Sequence, residues 1–242
     1  MDNFLMDAHM HFDLYKKRED VLSYIEAHHS YTIAVTNLPE LYERYYQKYA
    51  NFKYIKIALG FHPELVFQYQ RQLPAFLKYV EMTRYIGEVG LDFTTQDKAN
   101  QEIQREVFSK IVDASQKDDK ILSVHSRRAE AECLQILKQF KGKIIIHWFS
   151  GRGRTLKEAL EMGCYFSINQ QMLLSKNGRG IVDALPMDRI LIESDAPFSK
   201  GMEELYSLFF ADKIYDYLSK EKAISKREIS QLIKNNFRKV IS

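Results

Sequence analysis

Five of the seven histidines stand at or directly after the ends of short apolar segments, and three carboxylates share this position. The eight residues are His9, His11, His62, His125, His147, Glu88, Glu193 and Asp195. Imidazoles and carboxylates together are typical ligands of a divalent ion such as Zn, Mn, Fe or Mg. The set contains no thiolate, which argues against a structural zinc site, and it is large enough to hold two ions.

Strand geometry predicts which of these side chains lie together. Successive residues of a strand point to opposite faces, so Asp7, His9 and His11 share one face. Glu193 and Asp195 share a face for the same reason. The alternation therefore supports the clustering of these side chains at one site.

These histidines and carboxylates suit an enzyme that hydrolyses a phosphodiester bond. Two ions roughly 3.5–4 Å apart stabilise the attacking and the leaving oxygen of an in-line displacement. Glu88 is placed to bridge them, because each oxygen of a carboxylate can bind one ion. Asp195 is the candidate to orient the attacking water and to take its proton. Arg127 supplies a planar guanidinium that matches the geometry of phosphate.

Three segments that follow apolar runs are basic and contain no acid: His125–Arg128, Ser150–Thr155 and Ser175–Gly180. Their cations are Arg127, Arg128, Arg152, Arg154, Lys176 and Arg179. We therefore expect a basic rim around the metal site, although the formal charge of the whole chain is only +3. Such a rim favours a polyanionic substrate.

Eight short apolar segments, most of them rich in Ile, Val, Phe or Tyr, predict the strands that position these residues. They are Phe4–Met6, Thr32–Val35, Tyr54–Leu59, Tyr85–Val89, Ile121–Val124, Ile144–Ile146, Cys164–Ile168 and Ile190–Ile192. Helical patterns lie between them, and this alternation predicts a parallel sheet with helical crossovers. Eight such units predict an α/β TIM barrel, which collects its chemistry at the carboxyl ends of its strands. A doubly wound open sheet is the structural alternative.

Apolar residues at intervals of three and four predict three of the helices. These span Glu102–Gln116, Ala129–Phe140 and Thr155–Met162. Gly163 ends the third as a C-terminal cap. The segment Asp212–Ser242 predicts two closing helices, the second with Ser225 as its N-cap and Glu228 three residues later. No linker or hinge divides the chain, so residues 1–242 are expected to form a single domain.

Composition excludes several classes of protein. Hydrophobic residues make up 45% of the 242 residues, and 35 Lys plus Arg nearly balance 32 Asp plus Glu, so disorder is excluded. Two Cys cannot form a disulfide framework, and a charge of +3 does not suit a protein that coats DNA. The apolar run within Met1–Met10 is too short for a secretory signal, and no segment approaches the ~20 apolar residues of a membrane span. We expect a soluble cytoplasmic protein.

Six motifs in order resemble those of the TatD family of metal-dependent deoxyribonucleases. They are Asp7-Ala8-His9-Met10-His11, Gly60-Phe61-His62-Pro63-Glu64, Gly87-Glu88-Val89-Gly90-Leu91-Asp92, Val124-His125-Ser126-Arg127, Ile146-His147-Trp148-Phe149-Ser150-Gly151 and Glu193-Ser194-Asp195-Ala196-Pro197. The resemblance implies an amidohydrolase-like TIM barrel that hydrolyses DNA phosphodiesters with divalent metals, often as a 3′-to-5′ exonuclease on single strands.

The resemblance also implies a role for each matching residue. The ligands of one ion would be His9, His11, Glu88 and Asp195. The ligands of the second ion would be Glu88, His125 and His147. His62 and Arg127 would contact the phosphate of the substrate, and Asp195 would orient the attacking water. Asp7 and Glu193 are expected to support the ligands, the two ions to be Mg, Mn or Zn, and the partner to be DNA, single-stranded rather than duplex.

A narrower resemblance connects the chain with the TatD-type nucleases of Qat antiphage defence systems. It lies in residues 58–65, Ser126-Arg127-Arg128-Ala129, His147-Trp148-Phe149 and Gly163-Cys164-Tyr165-Phe166-Ser167. It implies a bacterial protein that acts beside other proteins of such a system. The chain departs from the wider family at Phe198–Glu203, where an Arg-Asn-Pro stretch is usual, so we expect different loops over the site.

Two other functions would use the same residues. An amidohydrolase-type deaminase or lactonase would act on a small molecule with the same His-x-His opening and closing Asp. Many such enzymes bridge two metals with a carbamylated Lys at the end of the fourth strand, where this chain has Glu88. A non-catalytic structural subunit of a defence complex is the other alternative, but a scaffold has no need of five imidazoles at one end of a barrel.

The remaining aromatic and histidine residues favour structural roles. Trp148 could stack on a nucleobase, but packing beside His147 is the favoured interpretation. Helical spacing also favours packing for Tyr42, Tyr45, Tyr46 and Tyr49. His28 and His29 are expected in the first helix, at the surface.

Overall fold

The computed structural model describes residues 5–242, whose central layer consists of eight parallel strands. The strands are β1 Met6–Met10, β2 Tyr31–Val35, β3 Ile55–Ala58, β4 Tyr85–Gly90, β5 Ile121–His125, β6 Lys143–His147, β7 Tyr165–Ile168 and β8 Ile190–Ile192. All eight predicted strands are present, and the first is displaced toward the C-terminus. The start of that prediction, Phe4, lies outside the described residues.

Backbone hydrogen bonds close these strands into a barrel. Strands β1 to β3 pair in order, and so do strands β4 to β8. The Gly87 N–H donates to the Leu59 carbonyl at 2.8 Å, which joins the end of β3 to β4. The Asp195 N–H donates to the His9 carbonyl at 3.0 Å, which joins the end of β8 to β1. The predicted α/β TIM barrel is therefore confirmed, and the open-sheet alternative is wrong.

Ten α-helices connect and cover the strands within residues 5–242. They are α1 Arg18–Ala27, α2 Pro39–Tyr45, α3 Pro63–Tyr69, α4 Leu73–Tyr79, α5 Lys98–Ala114, α6 Glu130–Leu137, α7 Arg154–Glu161, α8 Lys176–Ala184, α9 Phe210–Lys222 and α10 Lys226–Ile241. Helix α5 begins four residues before its predicted start, because the Asp97 side chain accepts the Ala99 N–H and caps it. The predicted capping box of Ser225 and Glu228 is confirmed at the start of α10.

Apolar side chains from the strands and from the inner faces of the helices form one hydrophobic core. Tyr42, Tyr45 and Tyr49 are buried in it, and their rings contact one another or neighbouring aromatic rings. The packing interpretation of these tyrosines is confirmed. Their burial packs α2 and the turn after it against the barrel.

The predicted position of the histidine pair was partly wrong. Helix α1 ends at Ala27, so His28 and His29 follow the helix instead of lying in it, and both are exposed. His29 has a φ of +54°, and this left-handed conformation ends the helix. None of the helices within residues 5–242 is long and apolar enough to cross a membrane.

Candidate metal centre

A cavity of about 470 Å³ lies among the loops at the carboxyl ends of the strands. It is lined by His11, His62, Glu64, Glu88, Asp92, His125, Ser126, Arg127, His147, Trp148, Ser150, Asp195 and Phe198. All strands of a parallel barrel point the same way, so residues far apart in the sequence meet at this end. The cavity therefore collects most of the residues that the sequence marks for chemistry.

Glu88 lies at the centre of this site and is 1% exposed. Its Oε2 lies 3.2 Å from His11 Nε2 and 3.5 Å from His9 Nε2. Its Oε1 lies 2.6 Å from His125 Nδ1 and 3.0 Å from His147 Nε2. One carboxylate thus faces His125 and His147 with one oxygen and His9 and His11 with the other, which His62 also approaches at 3.5 Å.

Asp195 joins the first of these pairs. Its Oδ1 lies 3.6 Å from His11 Nε2 and 3.8 Å from His9 Nε2. Asp195 has a φ of +48°, a left-handed conformation that is unfavourable for a residue with a side chain. Strained residues of this kind cluster at functional sites.

Two strands are irregular at the points where they carry ligands. The register of β1 on β2 shifts between Asp7 and Met10, around His9. The register of β4 on β5 shifts between Ile86 and Val89, around Glu88. A shift of this kind re-aims a side chain without ending the strand. The ladders are thus interrupted next to two of the candidate ligands, His9 and Glu88.

Neighbouring side chains orient two of the imidazoles. Ser123 Oγ lies 2.7 Å from His9 Nδ1, which leaves His9 Nε2 toward the carboxylates. Asp92 Oδ2 lies 2.8 Å from His125 Nε2, which leaves His125 Nδ1 toward Glu88. Such partners fix the ring and its tautomer, as they do around metal-binding histidines generally.

Glu193 supports a third imidazole from the fully buried interior of the barrel. Its Oε1 lies 3.4 Å from His147 Nδ1 and accepts a hydrogen bond of 2.9 Å from Asn169. Its Oε2 accepts a hydrogen bond from the Ser167 hydroxyl. The carboxylate therefore lies behind His147 as seen from Glu88.

Asp7 ties the first strand to the loop that follows the last one. It accepts hydrogen bonds from the Ser194 N–H at 2.9 Å and from the Tyr206 hydroxyl at 2.8 Å. Burial raises the pKa of Asp7 to about 7. Its contacts are with backbone and phenol, so it positions the neighbouring segments and lies outside the clusters of candidate ligand atoms.

The donor atoms fit a divalent metal centre. Three groups of residues bring ligand atoms within 4.8 Å of one another: His9, His11 and Asp195; His9, Glu88 and His147; and His62, Glu88 and His125. Within residues 5–242, Glu88 Oε2 and Asp195 Oδ1 are buried without a hydrogen-bond donor. Burying an unpaired acceptor is costly, and a cation would satisfy both oxygens.

Comparison with known proteins decides the family. A sequence model of the family described as TatD related DNase matches residues 6–242. The chain belongs to this family. Its relatives include YabD of Bacillus subtilis, named as an uncharacterized metal-dependent hydrolase, which is 27% identical over 221 residues, or 85% of this chain and 82% of that protein.

Two further TatD relatives come from distant organisms. Human deoxyribonuclease TATDN3 is 28% identical over 169 residues, which cover 68% of this chain and 62% of that protein. The crystal structure of the TatD homologue YJJV from Escherichia coli superposes with a TM-score of 0.84 at 21% identity, over 98% of this chain and 97% of that one. This structural likeness supports the barrel fold.

In this TatD centre, three residues have pKa values that neighbouring side chains shift in the direction opposite to burial. Burial alone would raise the pKa of Glu88, but the surrounding imidazoles of His62, His147 and His125 outweigh it and hold that pKa well below its usual value. Burial would lower the pKa of both His147 and His125. The charge of Glu88 outweighs it, holding the pKa of His147 well above its ordinary value and raising that of His125 to about 9. A bound divalent cation would displace these protons.

Burial dominates at His9, His62 and Asp195. It lowers the pKa of His9 to about 4 and the pKa of His62 to about 3. Both imidazoles are therefore neutral at neutral pH, the form that binds metal. Burial also raises the pKa of Asp195 to about 7.

The residues predicted to contact phosphate both line the cavity. His62 Nε2 lies 3.5 Å from Glu88 Oε2, so His62 also stands close enough to the carboxylate to share a metal with it. Arg127 is exposed, and no acid of the described chain pairs with it. The sequence thus predicted their place, while the structure adds a second option for His62.

Fewer cations surround the cavity than the sequence predicts. Of the six loop cations, Arg127 alone lines the cavity within the described residues. Arg152 and Lys176 line a separate groove instead. Arg179 donates a hydrogen bond of 2.8 Å to the Leu173 carbonyl. Most of the positive charge in the loops therefore lies beside the cavity, not inside it.

Sequence reasoning did not single out three residues that shape the site. Ser123 is a polar residue within an apolar strand, and that exception was an available signal. Asp92 closes the motif that contains Glu88, two residues after β4 ends. The ring centroids of Phe198 and His11 lie 5.2 Å apart in an edge-to-face arrangement, and no periodic pattern marks Phe198.

Trp148 and Glu88 bear on the alternatives that the sequence left open. Trp148 lines the cavity, is 37% exposed and makes no ring contact with another aromatic side chain in the described chain, so part of its ring is open to a ligand. Glu88 occupies the end of β4, where a small-molecule amidohydrolase would carry its bridging lysine. No lysine of residues 5–242 lines the cavity, which argues against that alternative.

Proposed function

We propose that this TatD-family protein is a metal-dependent nuclease that hydrolyses DNA phosphodiester bonds with two divalent ions sharing Glu88. The position of that carboxylate carries the proposal. Its two oxygens face two different groups of imidazoles: His11 at 3.2 Å with His9 and His62 at 3.5 Å on one side, and His125 at 2.6 Å with His147 at 3.0 Å on the other. A single-ion site would need one such group.

The proposed ligands follow this division. The first ion would be held by His9, His11, Glu88 and Asp195. The second ion would be held by Glu88, His125 and His147. Bound ions would supply the positive charge that stabilises the attacking and leaving oxygens of a phosphoryl displacement. Mg, Mn or Zn are the proposed ions, because imidazole and carboxylate ligands suit all three to different degrees.

Asp195 is proposed to orient the attacking water and to accept its proton. Burial raises the pKa of Asp195 to about 7 in the metal-free centre, and a bound cation would lower it toward the charged form that accepts a proton. Its Oδ1 accepts no hydrogen bond from any donor in residues 5–242, so it is available to the first ion or to the water beside it. Glu193 and Asp7 are proposed to hold the segments around it.

His62 and Arg127 are proposed to bind the phosphate beside the cleavage point. Both line the cavity together with the candidate metal ligands, and the guanidinium of Arg127 has no acid partner in the described chain. A guanidinium can donate two parallel hydrogen bonds to phosphate oxygens. The pair would therefore fix the phosphate in front of Glu88.

Two exposed aromatic residues support a single-stranded substrate. Trp148 is 37% exposed and Phe198 is 59% exposed, and both line the cavity. Aromatic side chains hold unpaired bases by stacking, with little preference for sequence. The cavity of about 470 Å³ is in the range of a small-molecule site, which suits an unpaired end better than a duplex. Cleavage from 3′ to 5′ is part of the proposal on the resemblance to TatD nucleases.

The test is cleavage of labelled single-stranded and double-stranded DNA with Mg²⁺, Mn²⁺ or Zn²⁺. We expect metal-dependent cleavage, faster on the single strand and abolished by chelation. Glu88→Gln and Asp195→Asn keep the shape of each side chain and should lose activity. Glu106→Gln makes the same change on the surface of α5 and should keep it. Cleavage without metal, or in both site variants, would contradict the proposal.

We also propose a role in antiphage defence in the bacterial cytoplasm, beside other proteins of a Qat-type system. The support is the resemblance at residues 58–65, Ser126–Ala129 and 163–167. Phage challenge of bacteria that carry the complete system, with wild-type protein or Glu88→Gln, would test it. Equal plaque counts for the two would contradict this role while leaving the nuclease activity intact.

A further inference from the structure

A second groove lies on the outer surface between helices α7 and α8, with a volume of about 670 Å³. Its floor is apolar and includes Leu156 and Ile181, which are nearly buried. Three cations line it: Arg152, Lys157 and Lys176. No acid lines the groove in the described chain, so it is apolar below and positive at its edges.

The groove adjoins the metal cavity. Asn177 lines the groove, and its Nδ2 donates a hydrogen bond of 3.1 Å to the carbonyl of Ser150. Ser150 lines the metal cavity. One hydrogen bond therefore connects the wall of the groove to the wall of the cavity, so the two sites are immediate neighbours on the surface.

Two of the three cations are available to a ligand. Lys157 forms an ion pair of 3.6 Å with Glu161 one turn later on α7. Arg152 and Lys176 are exposed, and neither pairs with an acid anywhere in residues 5–242. They come from the loop after β6 and from the start of α8, so the positive charge is contributed by both sides of the groove.

Gly180 adds an observation that is independent of charge. It lies inside α8 and lines the groove, and a Cβ built on it would meet no atom within 4 Å. Gly178, two residues earlier, is different, because a Cβ there would lie 2.1 Å from the Met172 carbonyl oxygen. Packing thus requires Gly178 but not Gly180, although glycine weakens a helix interior. Glycine is typical where another molecule approaches the backbone closely.

We propose that this groove binds the single-stranded nucleic acid that extends beyond the metal centre. The proposal rests on the proposed nuclease function. Arg152 and Lys176 would contact phosphates, and the apolar floor with Gly180 would accept the face of a base or sugar. An acidic helix of a partner protein could also match the charge. The adjacency of the groove and the metal cavity, across the hydrogen bond from Asn177 to Ser150, favours the substrate strand.

The test compares a long and a short oligonucleotide in the full-length, metal-loaded protein. The Asp195→Asn background should keep the strand intact during titration. Labelled oligothymidylate of about 12 nucleotides would span both sites, and one of about 3 nucleotides would occupy the cavity alone. The quantity measured is the affinity of each oligonucleotide at several salt concentrations.

Arg152→Glu with Lys176→Glu should weaken binding of the long oligonucleotide much more than binding of the short one. Each lost phosphate contact lowers the slope of log affinity on log salt by about 0.7 for a single strand, so the slope should fall by about 1.4. Lys141→Glu with Lys143→Glu makes the same charge change at the amino end of β6, away from both sites. That control should bind both oligonucleotides like the parent.

Gly180→Leu tests the groove without changing charge. It fills the floor, so it should also weaken binding of the long oligonucleotide selectively, while Gly180→Ala should strengthen helix α8 and raise the melting temperature. Parent-like long-strand binding in the double variant and in Gly180→Leu would overturn the proposal and assign the groove to a protein partner. Equal loss for both oligonucleotides would also overturn it. A wild-type chain that cleaves no nucleic acid would instead contradict the nuclease function.

Discussion

At the scale of single residues, the centre depends on which atoms face Glu88 and which side chains hold them there. The sequence predicts which side chains meet around Glu88, because each candidate ligand follows or ends an apolar strand. It does not predict Asp92 or Ser123 as their supports, because a hydrogen bond between His9 and Ser123 joins strands that are distant in the sequence. Only the closed barrel brings such pairs together.

Asp92→Asn tests the importance of these supports. The neutral amide lacks the charge with which the carboxylate orients the His125 ring. Metal affinity or cleavage should therefore fall about 10–100-fold. The measurement is the cleavage rate as a function of metal concentration. Asp97→Asn is the matched control, because Asn caps α5 as well as Asp does. Equal losses in the two variants would contradict a specific role for Asp92.

Trp148 reports on substrate directly, because it is the single tryptophan of the chain. Single-stranded oligothymidylate should quench its fluorescence, since a stacked base contacts the indole. Phe198→Ala should weaken binding by about 1–3 kcal/mol, the usual value of one base-stacking contact. Phe198→Tyr keeps an aromatic face and should bind like wild type. Unchanged emission at a saturating oligonucleotide concentration would refute stacking on Trp148.

At the scale of helices and strands, hydrophobic patterns predict eight strands and the closing helices correctly. The first strand is the largest error, because β1 continues through Asp7 and His9, both fully buried. A pattern based on apolar residues ends a strand at its first charged residue. Strands that carry a buried polar site are therefore predicted too short at their functional ends.

The capping box of α10 gives a prediction at this scale. Ser225 Oγ accepts the Glu228 N–H, and Glu228 Oε2 accepts the Ser225 N–H. Ser225→Ala removes the first bond and should cost about 1 kcal/mol. The melting temperature should fall by about 2–4 °C for a chain of this size, with cleavage unchanged. Ser225→Asp retains a capping oxygen, and a similar fall in that variant would contradict the explanation.

At the scale of the whole molecule, closure of the barrel and assembly of the centre use the same residues. The Asp195 N–H donates to the His9 carbonyl at 3.0 Å, and the His11 N–H donates to the Ala196 carbonyl at 2.8 Å. No sequence pattern shows which strand β8 pairs with. The prediction of a closed barrel therefore depends on the number of strand–helix units, which is eight. The first and last strands thus bring their ligands together when they pair.

Metal binding should therefore stabilise the entire fold. An ion at 100 times its dissociation constant adds about 2.7 kcal/mol, which corresponds to a rise in melting temperature of about 5–11 °C. Thermal unfolding with metal and with chelator measures this difference. In Glu88→Gln the rise should be much smaller. A rise of equal size in that variant would mean that the stabilising ions bind elsewhere.

The most direct measurement of the central claim is the number of divalent ions bound per chain at saturation. Titration with Mn²⁺ or Zn²⁺ should give two ions for the wild-type protein, because the two oxygens of Glu88 face separate groups of imidazoles. Glu88→Gln should bind one ion or none and should not cleave DNA. One ion in the wild-type protein, or two ions retained in Glu88→Gln, would contradict a centre built around a shared carboxylate.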